Sequence, residues 1–176
     1  MVVRSTTVLC VRRNMEVAMA CDGQVTMNDV VVKNDALKLR KLAGGKILLG
    51  VTGSTGEVAV LLDRLDNKLV GANGNLRKAA AELAKEWRTD PVLRGLEPTL
   101  LVADYSSTLI LAPSGDVIDP EDGIAGIGTA GAMAATAARA LLAHTQMGAR
   151  EIAVESVKLA GQACVYANTN VRVDTL

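Results

Sequence analysis

Strand-like and helix-like segments of this chain come in blocks, not in alternation. Several β-type runs are followed by two helical stretches, then by more β-type runs and two further helical stretches. Strict strand–helix alternation makes a doubly wound parallel sheet, whereas strands in blocks do not. The block order fits an α+β fold. Two antiparallel sheets pack face to face and a helix pair covers each outer side, giving a four-layer αββα sandwich.

The pattern can be read locally. Residues 6–13 and 16–21 form two strands joined through Arg13-Asn14-Met15, and Asp22-Gly23-Gln24 ends the second. Val30-Val31-Val32 and the basic run KLRKL at residues 38–42 are short β-type segments, closed by Gly44-Gly45. KILLGVT at residues 46–52 is an apolar strand of the fully buried kind. Residues 55–70 place Val58, Leu61, Leu62, Leu65 and Leu69 at helical spacing, and residues 75–87 make a second helix with Asn75 as its N-cap. Pro91 and Pro98 bracket a linker. A hairpin at 99–103 and 108–112, a turn into Val117-Ile118 and a strand at 123–127 follow. Two helices at 130–143 and 149–164 and a last strand at 171–174 complete the chain.

At 176 residues the chain is long enough for one domain with a sizeable core. Aromatics are only 2% and Phe is absent, so Ala, Val, Leu and Ile must build that core. Nineteen basic and 19 acidic residues cancel, which argues against a nucleic-acid or membrane-surface role. Cys10, Cys21 and Cys164 are widely spaced and odd in number, a poor disulfide framework without CxxC metal spacing. No apolar run approaches the length of a membrane span, and Met1 to Ser5 is too short for a secretory signal, so a cytoplasmic setting is expected.

Thr6 is the candidate nucleophile. If residues 1–5 are removed, Thr6 carries both a hydroxyl and a free α-amine. The amine's reference pKa of about 7.7–8.0 suits it to accept the hydroxyl's proton. Taken alone, Ser-Thr-Thr only starts a β-branched strand. Asp22 taken alone is a turn residue, and Lys38 taken alone belongs to a solvated basic face. Together they make a site if both face Thr6: the Lys38 charge lowers the pKa of the Thr6 groups, and Asp22 keeps Lys38 charged and placed.

Two glycine-rich segments add candidates. GVTGSTG at residues 50–56 reads either as a dinucleotide-binding turn or as an oxyanion hole built on the Gly53 N–H. Against the nucleotide reading, the segment follows β-type runs instead of sitting in a βαβ unit. GIGTAG at 126–131 leads a helix, with Thr129 either its N-cap or a hydroxyl near the nucleophile. The single histidine, His144, ends a helix and leaves no material for a Ser/His/Asp or Cys/His enzyme or for a zinc site. No GxxxxGK[ST] motif is present, so no nucleotide is expected to bind this chain.

The segments TTVLCVRRN, CDGQVT, VVVKNDALKLRKL, GVTGSTGE, AAAELAKEWRTDPVLRGLE, GIAGIGTAG, ARALL, AREIA and LAGQACVYANTN together resemble the HslV (ClpQ) family, proteasome-β-like peptidases of bacteria and some organelles. The resemblance runs from Thr6 nearly to the C-terminus. It implies an N-terminal-nucleophile hydrolase: a threonine endopeptidase whose residues 1–5 are a propeptide removed by autocatalytic cleavage and whose residues 6–176 form one peptidase domain. It implies a homo-oligomer of two stacked hexameric rings, a dodecamer fed with unfolded polypeptides by a hexameric AAA+ ATPase of the HslU type.

The same resemblance assigns residues. Thr6 is the nucleophile, Asp22 and Lys38 support it, and Gly53 is the oxyanion donor. Thr129 stands where the family commonly has Ser, and Ala130 where it has Gly. Val25, Ala36 and Val51 are implied as walls of the substrate pocket, and Gly161, Cys164 and Ala167 as backbone-carbonyl ligands of a sodium ion. Two other readings stay open at this level: a proteasome-like ring subunit that does not cut, and a nucleotide-binding oxidoreductase.

Overall fold

The computed structural model describes residues 3–4, 6–53 and 55–176. Ser5, and with it the expected cleavage boundary, lies outside the described residues, as do Met1, Val2 and Ser54. The chain order is β1 (Val3–Arg4), β2 (Thr7–Arg13), β3 (Glu16–Cys21), β4 (Val25–Met27), β5 (Val30–Lys33), β6 (Leu39–Leu42) and β7 (Ile47–Val51). Helices α1 (Thr55–Gly71) and α2 (Leu76–Thr89) come next, then β8 (Leu100–Ala103), β9 (Thr108–Leu111), β10 (Val117–Ile118) and β11 (Ala125–Gly128). Helices α3 (Gly131–His144) and α4 (Ala149–Ala163) lead to β12 (Arg172–Thr175).

Two antiparallel sheets form the middle layers, one in the order β10-β9-β8-β7-β6 and the other β11-β2-β3-β12. Alternation along each strand divides the side chains between two cores. In β2, Leu9 and Val11 face a cluster with α3 and α4, while Val8 and Cys10 face the opposite sheet. In β7 and β8, Ile47, Leu49, Leu100 and Val102 pack on α1 and α2, while Leu48, Leu101 and Ala103 complete the inter-sheet core. Strands buried on both faces read as continuous apolar runs, which is why KILLGVT carries no polar alternation.

Helix α2 buries Leu76, Ala79, Ala80, Leu83, Ala84 and Trp87, one stripe at helical spacing. Its N-cap is Asn75, whose side chain accepts from the Lys78 N–H at 2.9 Å. The expected αββα sandwich is therefore the observed one. The GVTGSTG segment follows a strand of an antiparallel sheet, not a βαβ unit, which removes the structural basis of the dinucleotide reading.

A third, small sheet in the order β1-β4-β5 was not anticipated. Its strand β4 lies directly after the Asp22-Gly23-Gln24 break, too short for periodicity to reveal. One expectation is corrected at α3. Its N-cap is Ala130, with no side-chain capping bond, so Thr129 does not cap the helix and stands exposed just before it.

Candidate active site

The site forms at one end of the β2–β3 hairpin. Antiparallel pairing of Val8 with Cys21 brings the start of β2 beside the end of β3, so Thr6-Thr7 and Asp22 are neighbours by register alone. The two segments are then locked reciprocally. The Thr7 N–H donates to Asp22 Oδ1 at 2.7 Å, and the Asp22 N–H donates to the Thr7 carbonyl at 3.1 Å.

Lys38 enters from the loop before β6. Its Nζ donates to Asp22 Oδ1 at 2.7 Å and to the Gln24 carbonyl at 2.7 Å. The Gln24 N–H donates to Asp22 Oδ2 at 3.0 Å, so the carboxylate is held from both sides. The KLRKL run thus divides: Lys38 is buried, while Arg40 and Lys41 are exposed. Burial pulls the Lys38 ammonium below its ordinary value, and Asp22 opposes the shift by charge and hydrogen bond. A lysine poised this way stabilises negative charge nearby and lowers the pKa of an adjacent amine or hydroxyl. Cys21, buried beside the pair, has its thiol pushed up to about 11 by the same desolvation.

Thr6 is itself buried, one residue ahead of the Thr7–Asp22 contact. Its φ of 146° is unusual for a β-branched residue. Gly128, at the end of β11, pairs with Thr7 and takes a φ of 86°. A Cβ at Gly128 would lie 2.1 Å from the Thr6 carbonyl oxygen, so only glycine lets β11 approach the threonine this closely. Sequence reasoning singled out Thr129 and missed Gly128; β11 ends at Gly128, paired with Thr7, and Thr129 follows it in the exposed turn before α3.

The remaining candidates are placed as follows. Gly53 follows β7 with a φ of 97°, packed against Pro98. Val25 lies on β4, the Ala36 N–H donates to the Gly23 carbonyl at 2.9 Å, and the Val51 N–H donates to the Lys38 carbonyl at 3.2 Å. All three are half-buried and tied by chain or hydrogen bond to the segments that carry Asp22 and Lys38. Gly161, Cys164 and Ala167 lie at the end of α4 and in the turn after it, where the Ala167 N–H donates to the Cys164 carbonyl at 3.1 Å; the same turn meets the Asp22 loop through Gln24 Nε2, which donates to the Val165 carbonyl at 2.9 Å. Among the described residues, no cluster of three or more His, Cys, Asp or Glu side chains is arranged to hold a metal. No helix among them is long and apolar enough to cross a membrane.

Two face-to-face antiparallel sheets with outer helix pairs, and a threonine at the head of a central strand beside a buried Lys–Asp pair, define the N-terminal-nucleophile hydrolase architecture. The proteasome subunit family model matches residues 2–176, and the chain belongs to that family. It is 50% identical to the ATP-dependent protease subunit HslV of Thermosipho africanus over 173 residues, 98% of each chain. It is 49% identical to the subunit of the same name from Thermosipho melanesiensis, again covering 98% of each. The crystal structure of eukaryotic HslV from Trypanosoma brucei superposes with a TM-score of 0.92 at 40% identity, over 97% of this chain and 98% of that one. Thiobacillus denitrificans BPH, at a TM-score of 0.72 and 16% identity, shares the fold alone.

Proposed function

We propose that this chain is the peptidase subunit of a two-component ATP-dependent protease, an endopeptidase whose nucleophile is Thr6. The observation that carries the reading is the buried Asp22–Lys38 pair, locked to Thr7 immediately behind Thr6. In the mature form the Thr6 hydroxyl attacks the scissile carbonyl and its proton passes to the Thr6 amine. The Gly53 N–H receives the oxyanion; its collapse breaks the scissile C–N bond, the departing amine takes the proton from the Thr6 ammonium, and water then hydrolyses the acyl ester to the carboxylic acid and restores the Thr6 hydroxyl. Lys38 supplies the positive charge that favours the neutral amine, and Thr129 offers a hydroxyl at the same end of β2.

Removal of residues 1–5 is required, since an acylated Thr6 nitrogen cannot act as base. Ahead of Thr6, β1 pairs antiparallel with β4 through Val3–Met27 and Arg4–Thr26. Its departure leaves an edge of β4 that accepts an extended polypeptide by strand addition, with Val25, Ala36 and Val51 lining the adjoining pocket.

Sodium is the cofactor we assign to the turn after α4. That helix ends at Ala163 and Cys164 is extended, so the Gly161 carbonyl belongs to the last turn, where intrahelical donors are lacking and the helix dipole is negative. These carbonyls, with those of Cys164 and Ala167, suit a hard cation. The ion would supply positive charge and stiffness to the turn. The relatives' name, ATP-dependent protease subunit HslV, supports a partnership with an ATPase. Delivery of unfolded polypeptide by a hexameric ATPase of the HslU type, assembly in two stacked hexameric rings and a cytoplasmic setting complete the proposal.

Intact-mass and N-terminal sequencing of the purified protein, with peptide turnover before and after an epoxyketone or boronate, test the reading. The expected first residue is Thr6, and one inhibitor molecule blocks each active subunit. Unaltered turnover in Thr6→Ala would sink the proposal. Retention of residues 1–5 together with no turnover would favour a ring subunit that does not cut.

A further inference from the structure

We propose that Asn168 is a positioning residue that holds the two catalytic loops together from outside the Asp22–Lys38 pair. Neither Asp22 nor Lys38 lies in a long element. Asp22 follows the last residue of β3, and Lys38 precedes the first residue of β6. The inner ties between their loops are the ion pair, the Lys38 bond to the Gln24 carbonyl and the Ala36 N–H bond to the Gly23 carbonyl. Asn168, 146 residues from Asp22 in sequence, makes the outer tie.

Every polar group of its side chain is used. Oδ1 accepts from the Gly23 N–H at 3.2 Å and from the Asn170 N–H at 3.1 Å. Nδ2 donates to the Asn34 carbonyl and to Asn34 Oδ1, each at 3.2 Å. Only one orientation of the amide satisfies two N–H groups on one side and two oxygens on the other. Gly23 is the residue after Asp22, and Asn34 lies on the segment leading to Lys38. The Asn168 backbone N–H also donates to Asp22 Oδ2 at 3.4 Å. From the far side Gly161 fixes this backbone: a Cβ there would lie 2.4 Å from the Asn168 carbonyl oxygen. Asn168 is therefore anchored by the end of α4 and grips both loops at once, and among the described residues its hydrogen bonds go to these loops and to Asn170, not to Thr6.

The assignment rests on Thr6, Asp22 and Lys38 being the catalytic group. Loosening the grip lets Lys38 and Asp22 drift relative to Thr6 and slows chemistry, while the β4 edge and Val51, neither hydrogen-bonded to Asn168, still bind substrate and Ala36 keeps its own bond to the Gly23 carbonyl. Small displacements of this kind cost up to about 100-fold in rate. Asn170 is the internal control. Its side chain donates to the same Asn34 carbonyl at 3.1 Å and, among the described residues, makes no hydrogen bond to Gly23 or Asp22.

The test compares Asn168→Ala, Asn168→Asp and Asn170→Ala in the full chain, expressed and matured as the wild type. Peptide kcat is expressed per subunit titrated with covalent inhibitor. Asn168→Ala is expected to lower kcat roughly 10- to 100-fold with KM within about twofold, the pattern of an interaction that matters in the transition state. Asn170→Ala is expected to stay near wild type. Asn168→Asp is isosteric, keeps the acceptor for Gly23 and loses the donor to Asn34, so it too lowers kcat at unchanged KM. If Asn168→Ala does not assemble, Asn168→Asp decides alone. Wild-type kcat per titrated site in the assembled Asn168 variant, or an equal fall in Asn170→Ala, overturns the proposal. Turnover that survives Thr6→Ala overturns instead the catalytic reading on which it rests.

Discussion

Lys38 Nζ sits 2.7 Å from Asp22 Oδ1 with side-chain exposures of only 7% and 0%. The two partners are not equally supported. Asp22 also accepts from the N–H groups of Thr7, Gln24 and Asn168, whereas among the described residues the Lys38 ammonium has just the Gln24 carbonyl besides Asp22. Removing the carboxylate strands a buried ammonium; removing the ammonium leaves a carboxylate still held by three backbone donors.

Asp22→Ala is accordingly expected to destabilise the protein by about 3–5 kcal/mol, the cost of breaking a buried pair from one side. Lys38→Met, similar in length and apolar, should cost clearly less. Both should abolish peptide turnover. Chemical unfolding of the two variants side by side checks the order, and equal destabilisation would contradict the asymmetry.

Gly128→Ala is expected to remove turnover while leaving most of the sheet intact. The added methyl meets the Thr6 carbonyl oxygen, and the φ of 86° adds about 1–2 kcal/mol of backbone cost for a non-glycine residue. Peptide kinetics and a far-ultraviolet spectrum separate the local effect from loss of fold.

Asp122 carries the clearest acid dependence outside the active site. Its carboxylate takes hydrogen bonds from Arg139 Nε at 2.6 Å and from the Ile124 N–H at 3.0 Å, tying the approach to β11 onto α3. The Arg139 bond holds the carboxyl below its ordinary value of 3.8. With the folded value below the unfolded one, the stabilisation is complete above about 3.8 and is lost as pH falls through the folded value. Asp122→Asn should lower the unfolding midpoint slightly at neutral pH, the pair being partly exposed, and the difference should close in acid. Midpoints measured across that range test the sign.

If sodium occupies the turn after α4 as proposed, its withdrawal should lower stability. Exchange into a bulky organic cation is expected to lower the thermal midpoint, and adding sodium back should raise it with concentration, as a ligand bound only by the folded state must. Gly161→Ala, whose methyl would displace the Asn168 carbonyl, should blunt that response. An unchanged midpoint in the wild type would remove sodium from the turn.

Much of this was legible locally. The β2–β3 hairpin, the buried KILLGVT strand and the Asn75 cap follow from periodicity and turn chemistry, which act over a few residues. The four-layer order follows from strands arriving in blocks. Thr6, Asp22 and Lys38 were nameable as candidates because their chemistry is rare in combination. Strand β4 was not legible: at three residues it has too little length to show a period. Of the two readings of Thr129, a hydroxyl before a helix suggests the cap, yet the chain enters α3 one residue later, at Ala130.

By itself the sequence determined which segments become strands and helices, which faces turn inward, and that a threonine with partners of the right charge exists. Tertiary structure alone decided that Lys38 is buried while its neighbours Arg40 and Lys41 are solvated, that Gly128 closes on Thr6, and that Asn168 grips Gly23 and Asn34. The reason is physical. Secondary structure answers to neighbours three or four residues away, but the burial of a charge or an amide depends on which distant donors and acceptors packing brings within 3 Å or so, and no local pattern encodes that.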